Sequence, residues 1–297
     1  MKKVLIIMST FNGEKYITEQ IQSLLTQTYP ISILVRDDGS RDRTLELLEK
    51  YELENENLRV IKGENIGVVK SFNTLIAHRL VDNYDFIAFC DQDDVWDQDK
   101  IQTAVRKIMK FDQSLPLMYC SNLRVVDKDL NFIRNMRKTP QFTRKSALVQ
   151  NIATGCTEVF NKEAVKLYRR TIGKYSEIHD YMMYLVCVHL GKVVYDDEPH
   201  ISYRQHGNNV IGVTDSSIGV ALSNIQNYGK RQRTLMSFLS SFSDRLNVSD
   251  KKNIQRIINY DKSVADKLIL LIDPSFRGNT AKVTIGFKIR ILFNRLY

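Results

Sequence analysis

The chain is poor in cysteine, and the few it has are scattered. Cys90, Cys120, Cys156 and Cys187 form no C-x-x-C pair, and each lies in an apolar run. Buried free thiols are therefore expected, and a disulfide scaffold or a zinc module is excluded. A reducing, cytoplasmic setting fits that usage. No uninterrupted stretch of about twenty apolar residues exists, so a membrane-spanning helix is not expected. The basic-apolar start, Met1 to Met8, gives way to Ser9-Thr10-Phe11-Asn12 too early for a signal peptide. No G-x-G-x-x-G follows the first apolar run, which removes the dinucleotide fingerprint. Zinc-finger spacings and RNA-binding signatures are missing too, and nucleic acid is not an expected partner. There is no internal repeat and no low-complexity tract.

What remains is an ordinary globular composition. The 297 residues are 43% hydrophobic and 26% charged, enough for one large domain, or one domain with an appendage, around a substantial core. The net charge is +9, and it is unevenly placed. Acidic clusters occupy the first hundred residues, while Lys282, Lys288, Arg290 and Arg295 crowd the end. Such asymmetry points to anionic partners, phosphates or a membrane surface.

The first 120 residues alternate in a βα rhythm. Val4 to Met8, Ile31 to Val35, Leu58 to Ile61, Phe86 to Cys90 and Leu115 to Cys120 read as buried strands. Helical faces lie between them, the clearest formed by Ile101, Ala104, Val105, Ile108 and Met109. Ser40 or Asp42 is the expected cap of the second helix. The fold class is α/β, a mostly parallel sheet covered on both faces. Further on, a turn at Thr154-Gly155-Cys156, a helix from about Glu177 to Leu190 and a strand pair around Lys192–Tyr195 and Ile201–Gln205 are expected. From residue 216 to 297 the pattern is helical, broken at Pro274 and Gly278.

Ligands on such a sheet bind beyond the carboxyl ends of the strands. Three polar turns fall there: Ser9-Thr10-Phe11-Asn12, Asp37-Asp38-Gly39-Ser40 and Asp91-Gln92-Asp93-Asp94. The last gathers three carboxylates in four residues. Their mutual repulsion is relieved by a hard cation such as Mg²⁺ or Mn²⁺.

Ser9-Thr10-Phe11-Asn12-Gly13, Gln27-Thr28, the run Arg36 to Asp42 and the run Asp91 to Trp96 together resemble the inverting family 2 glycosyltransferases of the GT-A fold. Tyr203-Arg204-Gln205-His206-Gly207-Asn208-Asn209 resembles the bacterial branch that includes rhamnosyltransferases of cell-wall and capsule synthesis. The resemblance covers about residues 1 to 212. It implies a glycosyltransferase domain over 1–215, with a nucleotide-binding half at 1–120 and an acceptor-binding half at 121–215. It also implies transfer of a sugar from a nucleotide diphosphate donor to an acceptor hydroxyl, with inversion.

Residue roles follow from the same resemblance. A divalent cation sits on Asp93, steadied by Asp91, with His206 as a further ligand or a plain loop histidine. Asp38 accepts from the pyrimidine N3–H, which selects a dTDP- or UDP-sugar over a cytidine donor, and it can also stabilise its own turn. Ser9, Thr10 and Asn12 line base and ribose, Asn12 alternatively capping the first helix. Asp180 is the general base that takes the acceptor proton, in a position where aspartate also favours the helix dipole. His179 replaces an acidic residue of many relatives, and its role is open. Trp96 shapes the sugar pocket or anchors the core, and Asp94 ligates the metal or orients its neighbours. Arg204 or Gln205 are alternative diphosphate contacts, and Asn65-Ile66-Gly67 a nucleotide loop or a plain one. The favoured donor is dTDP-rhamnose and the alternative a UDP-hexose. A non-catalytic nucleotide-sugar-binding module is the rival class.

The final run from Lys282 places Ile285, Ile289, Leu292, Phe293 and Leu296 on one helical face, with Phe287 and Ile291 off it. Two readings stand side by side: a peripheral contact with the inner face of the cell membrane near a lipid-linked acceptor, or a helix docked on the enzyme or in a homodimer.

Overall fold

Apolar runs become strands here because each side of the sheet has its own core to fill. In β1 (Val4–Thr10), Leu5 and Ile7 enter one cluster while Val4, Ile6 and Met8 enter the other. The same alternation divides β4 (Phe86–Cys90). A strand buried on both faces reads as continuous apolar sequence, which is why these runs were legible. The computed structural model describes residues 1–136, 140, 142–174, 178–206 and 231–294.

β2 (Ile31–Asp37) and β3 (Leu58–Lys62) join β1 and β4 in a parallel order β3-β2-β1-β4. The helices are α1 (Ile17–Leu25), α2 (Thr44–Glu54), α3 (Val68–Ala77) and α4 (Lys100–Ile108); the face expected for α4 is buried at Ile101, Ala104, Val105 and Ile108, while Met109, one residue past the helix, is exposed. Beyond β4 the sheet becomes mixed. A short β5 (Val95–Trp96) precedes β6 (Leu117–Val126), which carries β7 (Phe132–Asn135) on an outer edge. β8 (Val159–Asn161) lies antiparallel between β4 and β6. The expected fifth strand therefore exists, longer than the apolar run suggested, but a later segment separates it from β4.

α5 (Arg144–Val149), α6 (Lys162–Arg169) and α7 (His179–Leu190) cover one face. The strand pair expected near residues 192–205 is instead one strand, β9 (Lys192–Arg204), parallel to β6 and antiparallel to β5. Asp196-Asp197-Glu198-Pro199 lies between the two expected strands. It is absorbed as a register shift because the Asp196 carboxylate is buried against the Tyr119 hydroxyl at 3.0 Å and Lys107 at 2.6 Å.

Residues 231–242 are helical (α8), followed by α9 (Val248–Asn259), α10 (Val264–Ile272) and α11 (Ala281–Leu292). Phe238, Ile254, Leu270, Phe287 and Ile291 enter the cluster that also holds Leu5 and Phe89. The boundary expected at residue 215 lies outside the described residues. All four cysteines are buried and free.

Candidate active site

The strand ends are held together by side chains that reach from one loop to the next. After β2, Asp37 closes its own turn by accepting the Gly39 and Ser40 N–H groups at 3.2 and 3.0 Å. Gly39 takes φ +78°, and a Cβ there would meet the Asn65 nitrogen at 2.9 Å, so glycine is required twice over. Ser40 Oγ accepts from the Asn12 N–H at 2.9 Å, and Asn12 Oδ1 accepts from the Arg41 N–H at 2.9 Å. Asn12 thus latches the first loop to the second, well before α1 begins, and is not that helix's cap. Neither Ser40 nor Asp42 caps α2, whose N-cap is Arg43 without a side-chain bond. Asp42 instead accepts the Thr44 N–H at 3.0 Å.

Asp38 points away from its turn. Its buried carboxylate pairs with Arg36 and accepts the Ile66 and Gly67 N–H groups at 3.0 and 2.8 Å. Those three donors leave room for about one more on its lone pairs. The 65–67 loop accordingly spends two of its amides on Asp38. Ser9 Oγ donates to Ser71 Oγ at 2.6 Å, and the buried Thr10 hydroxyl donates to Asp37 at 3.3 Å.

Beyond β4 the carboxylates divide by environment. Asp91 faces only repulsion, and desolvation first, then Asp93 and Asp180, push it up to about 7. Asp93 Oδ2 lies 2.8 Å from His206 Nε2, bringing together residues 113 positions apart. The His206 ring stacks on Tyr16 with centroids 4.7 Å apart. Asp94 turns inward, fully buried, where it accepts the Arg204 N–H at 3.0 Å. Burial, then Asp93 and Asp91, raise its pKa well above the usual carboxylate range. Asp94 therefore orients the loop from beneath.

Two residues whose bracing role the sequence did not reveal complete the frame. Gln92 accepts the Phe11 N–H at 2.8 Å and returns a bond to the Phe11 carbonyl at 3.2 Å, tying the β1 loop to the acidic loop. The buried Arg204 donates to the Asp93 carbonyl at 2.9 Å and the Lys128 carbonyl at 2.6 Å, and pairs with Glu19. Its guanidinium is spent inside the protein, which overturns the alternative of a diphosphate contact for Arg204. Trp96 is a core residue. The buried Lys100 ammonium lies 3.2 Å from its ring centroid, and burial pushes that amine down to about 8.

Asp180 stands in the first turn of α7, close enough to Asp91 for its charge to be felt there. Its oxygens accept the Tyr181 N–H at 2.6 Å and the Gly155 N–H at 3.3 Å. A Cβ at Gly155 would lie 3.2 Å from the Asp180 Cβ, so the small residue permits this approach. His179 stacks on Phe72 at 4.1 Å and meets Phe89 edge-on at 4.9 Å. Burial lowers its pKa and holds it neutral. It packs beneath the site.

Acidic groups cluster here as a divalent cation would require. Among the described residues, Asp91, Asp94 and Cys156 bring ligand atoms within 4.8 Å of one another, while Asp93, whose charge raises the pKa of Asp91, meets His206 instead.

The sequence matches Glycosyl transferase family 2 over residues 5–171. It is 30% identical over 221 residues to a dTDP-rhamnosyl transferase, RfbG, of Shigella flexneri, covering 70% of this chain and 75% of that one. It is 28% identical over 207 residues to a chondroitin synthase of Escherichia coli, where the match takes in 69% of this chain and only 29% of the synthase. Among solved structures it resembles S. aureus TarS 1–349 in complex with UDP-GlcNAc, with a TM-score of 0.58 and 18% identity over 99% of this chain and 82% of that one. A mannosyltransferase of Pyrobaculum calidifontis in complex with GDP-Man and Mn²⁺ aligns with a TM-score of 0.54 and 13% identity, over 99% and 88% of the two chains. The fold is the GT-A fold of those enzymes.

Proposed function

Because this chain belongs to glycosyl transferase family 2 and so uses a nucleotide-sugar donor, we propose that it transfers rhamnose from dTDP-rhamnose, with inversion, to a hydroxyl of a cell-surface saccharide. The observation that carries the proposal is the pairing of Asp93 with His206 at 2.8 Å beside Asp91, whose carboxyl feels the charges of both Asp93 and Asp180. The 30% identity to a dTDP-rhamnosyl transferase supports the choice of donor.

Asp180 is the general base. Two backbone N–H groups fix its carboxylate, so its remaining lone pairs can take the acceptor's proton as the hydroxyl attacks from the face opposite the diphosphate. Asp91, Asp93 and His206 would hold Mn²⁺ or Mg²⁺, and the cation would supply positive charge to stabilise the leaving diphosphate. Gln92 and Arg204 keep that cluster in place. Asp38 meets the pyrimidine N3–H with the lone pair its three donors leave. Ser9, Thr10 and Asn12 shape the nucleoside side of the same edge. The acceptor is lipid-linked and presented at the cytoplasmic face of the membrane.

A UDP-hexose donor is the second reading, favoured by the structural likeness to a protein bound to UDP-GlcNAc. A donor panel decides. Calorimetry with dTDP-rhamnose, UDP-glucose, UDP-GlcNAc and GDP-mannose, each with and without Mn²⁺, should give heat with dTDP-rhamnose that EDTA abolishes. Heat with a UDP-sugar alone would move the assignment to a hexosyltransferase, and silence throughout would favour the non-catalytic module.

A further inference from the structure

The outermost helices leave an apolar face open. On α10, Val264, Leu268 and Ile272 recur every fourth residue, and on α11, Ile285, Ile289, Leu292 and Phe293 do the same work; each is at least half exposed. The opposite sides of these helices are the docked ones, through Leu270, Phe287 and Ile291. The two residues that fell off the apolar stripe in sequence are thus the anchors that turn the stripe outward. Lys267 Nζ donates to Asn294 Oδ1 at 2.9 Å. That bond ties α10 beside Leu268 to the chain just beyond Phe293. Leu296 and Arg295 lie outside the described residues.

Charge selects the occupant. Residues 274–297 contain Arg277, Lys282, Lys288, Arg290 and Arg295 and no aspartate or glutamate. A symmetric contact with a second copy would press these like charges together. A bilayer carrying anionic headgroups would neutralise them while its acyl boundary receives the apolar row. α11 has 12 residues, and no helix among the described residues is long and apolar enough to cross a membrane. The fitting geometry is therefore a helix pair lying in the interface.

We propose that the exposed faces of α10 and α11 form a docking surface for the anionic surface of a lipid bilayer. This rests on the reading above, since a lipid-linked acceptor gives the contact its purpose. The surface is also wired to the catalytic half. Lys145 of α5 bonds Asp273 at 2.7 Å and Ser275 at 2.9 Å, and Gln150 just after α5 accepts the Asn279 N–H at 2.8 Å. α5 in turn accepts from Tyr181, beside Asp180, through the Ala147 carbonyl at 2.9 Å. Membrane docking would thus orient the helix that carries the base.

The test is co-sedimentation of the full chain with vesicles of phosphatidylcholine alone or with phosphatidylglycerol added, in parallel with calorimetric donor binding. Wild type should partition onto the anionic vesicles and be released by high salt. The double variant K282Q/K288Q should lose roughly tenfold or more in partition. The variant L268S/I289S/F293S should lose at least as much, with thermal unfolding and donor binding unchanged. Equal binding to both vesicle types, or none to either, overturns the proposal. So does a concentration-dependent dimer that L268S/I289S/F293S dissociates while vesicles capture nothing. Vesicle binding without donor binding would remove the assigned reaction and leave the surface standing. Donor binding without vesicle binding would do the reverse.

Discussion

The strand-end loops and the C-terminal helix pair both concentrate one sign of charge, and they treat it in opposite ways. At the strand ends, Asp38 and Asp94 are drawn out of water and held by backbone N–H groups and Arg36, while Gln92 and Arg204 tie the loops that carry them. On α11 and its flanks, cations stand beside exposed apolar side chains with no carboxylate in the last 24 residues. Desolvated charge that is held in place belongs to chemistry, because reorganisation would weaken its effect on a transition state. Charge left at an apolar surface belongs to association, where the partner completes it. Breaking a brace should therefore damage turnover or folding, whereas altering the tail should damage neither.

The largest effect is expected at Asp180. Asp180→Asn keeps the size and, through its one amide oxygen, one of the two backbone contacts, but cannot take a proton. Turnover should fall by about 10²–10⁴-fold with donor affinity within a factor of two or so, as read by steady-state kinetics and calorimetry. Near-normal turnover would show that the base lies elsewhere. Next comes Arg204→Met, which removes a buried clamp and orphans the Asp93 and Lys128 carbonyls. A loss of about 2–4 kcal/mol in chemical denaturation is expected, along with weaker metal-dependent donor binding. A stable Arg204→Met protein that still binds donor would dissolve the contrast between braced and unbraced charge.

How much of this was readable beforehand follows from the range of the interactions. Phe86 to Cys90 and the acidic run after it were visible because an apolar strand and its polar end are adjacent in sequence. Asp180 was located only through family resemblance, since an aspartate opening a helix has an ordinary structural reason to be there. Arg204 reaches Glu19 across 185 residues, and Gln92 meets Phe11 across 81. No local pattern encodes such partners, so Arg204 stood as one alternative for a diphosphate contact and Gln92 carried no role. β9 was misread as two strands because Asp196 and Pro199 are turn-forming residues when nothing is known of Tyr119 and Lys107. The role of His179 stayed open until Phe72 and Phe89 were placed around it.

Glu158 is the exception within the braced region. Its carboxyl is fully buried beneath the site, and neither oxygen has a hydrogen-bond partner. Desolvation, then Asp180 and Asp91, raise its pKa well above the ordinary value of 4.5. The folded protein thus holds a proton that the unfolded chain releases. That costs nothing below the ordinary glutamate range and erodes stability as pH climbs from there toward the folded pKa. Glu158→Gln removes the erosion. It should stabilise the protein at pH 8, with the gain vanishing near pH 4, as read by chemical denaturation at the two pH values. A pH-independent gain would mean that packing, not protonation, was responsible.

The smallest effect is expected at Ile289, although it is a large apolar residue in a helix. An exposed position forfeits little burial when isoleucine becomes serine, and the two residues have similar helix propensity. Thermal unfolding of Ile289→Ser should shift by no more than about 0.5 kcal/mol. A shift of several times that size, growing with protein concentration in the wild type, would place Ile289 inside a subunit interface. The α10–α11 face would then be buried after all, and its cations would need carboxylates from a partner chain rather than from lipid. With a small shift, Ile289 contributes nothing to the fold of the isolated chain. Its isoleucine, beside Lys288, then has a use only where something outside the chain meets both the apolar row and the charge.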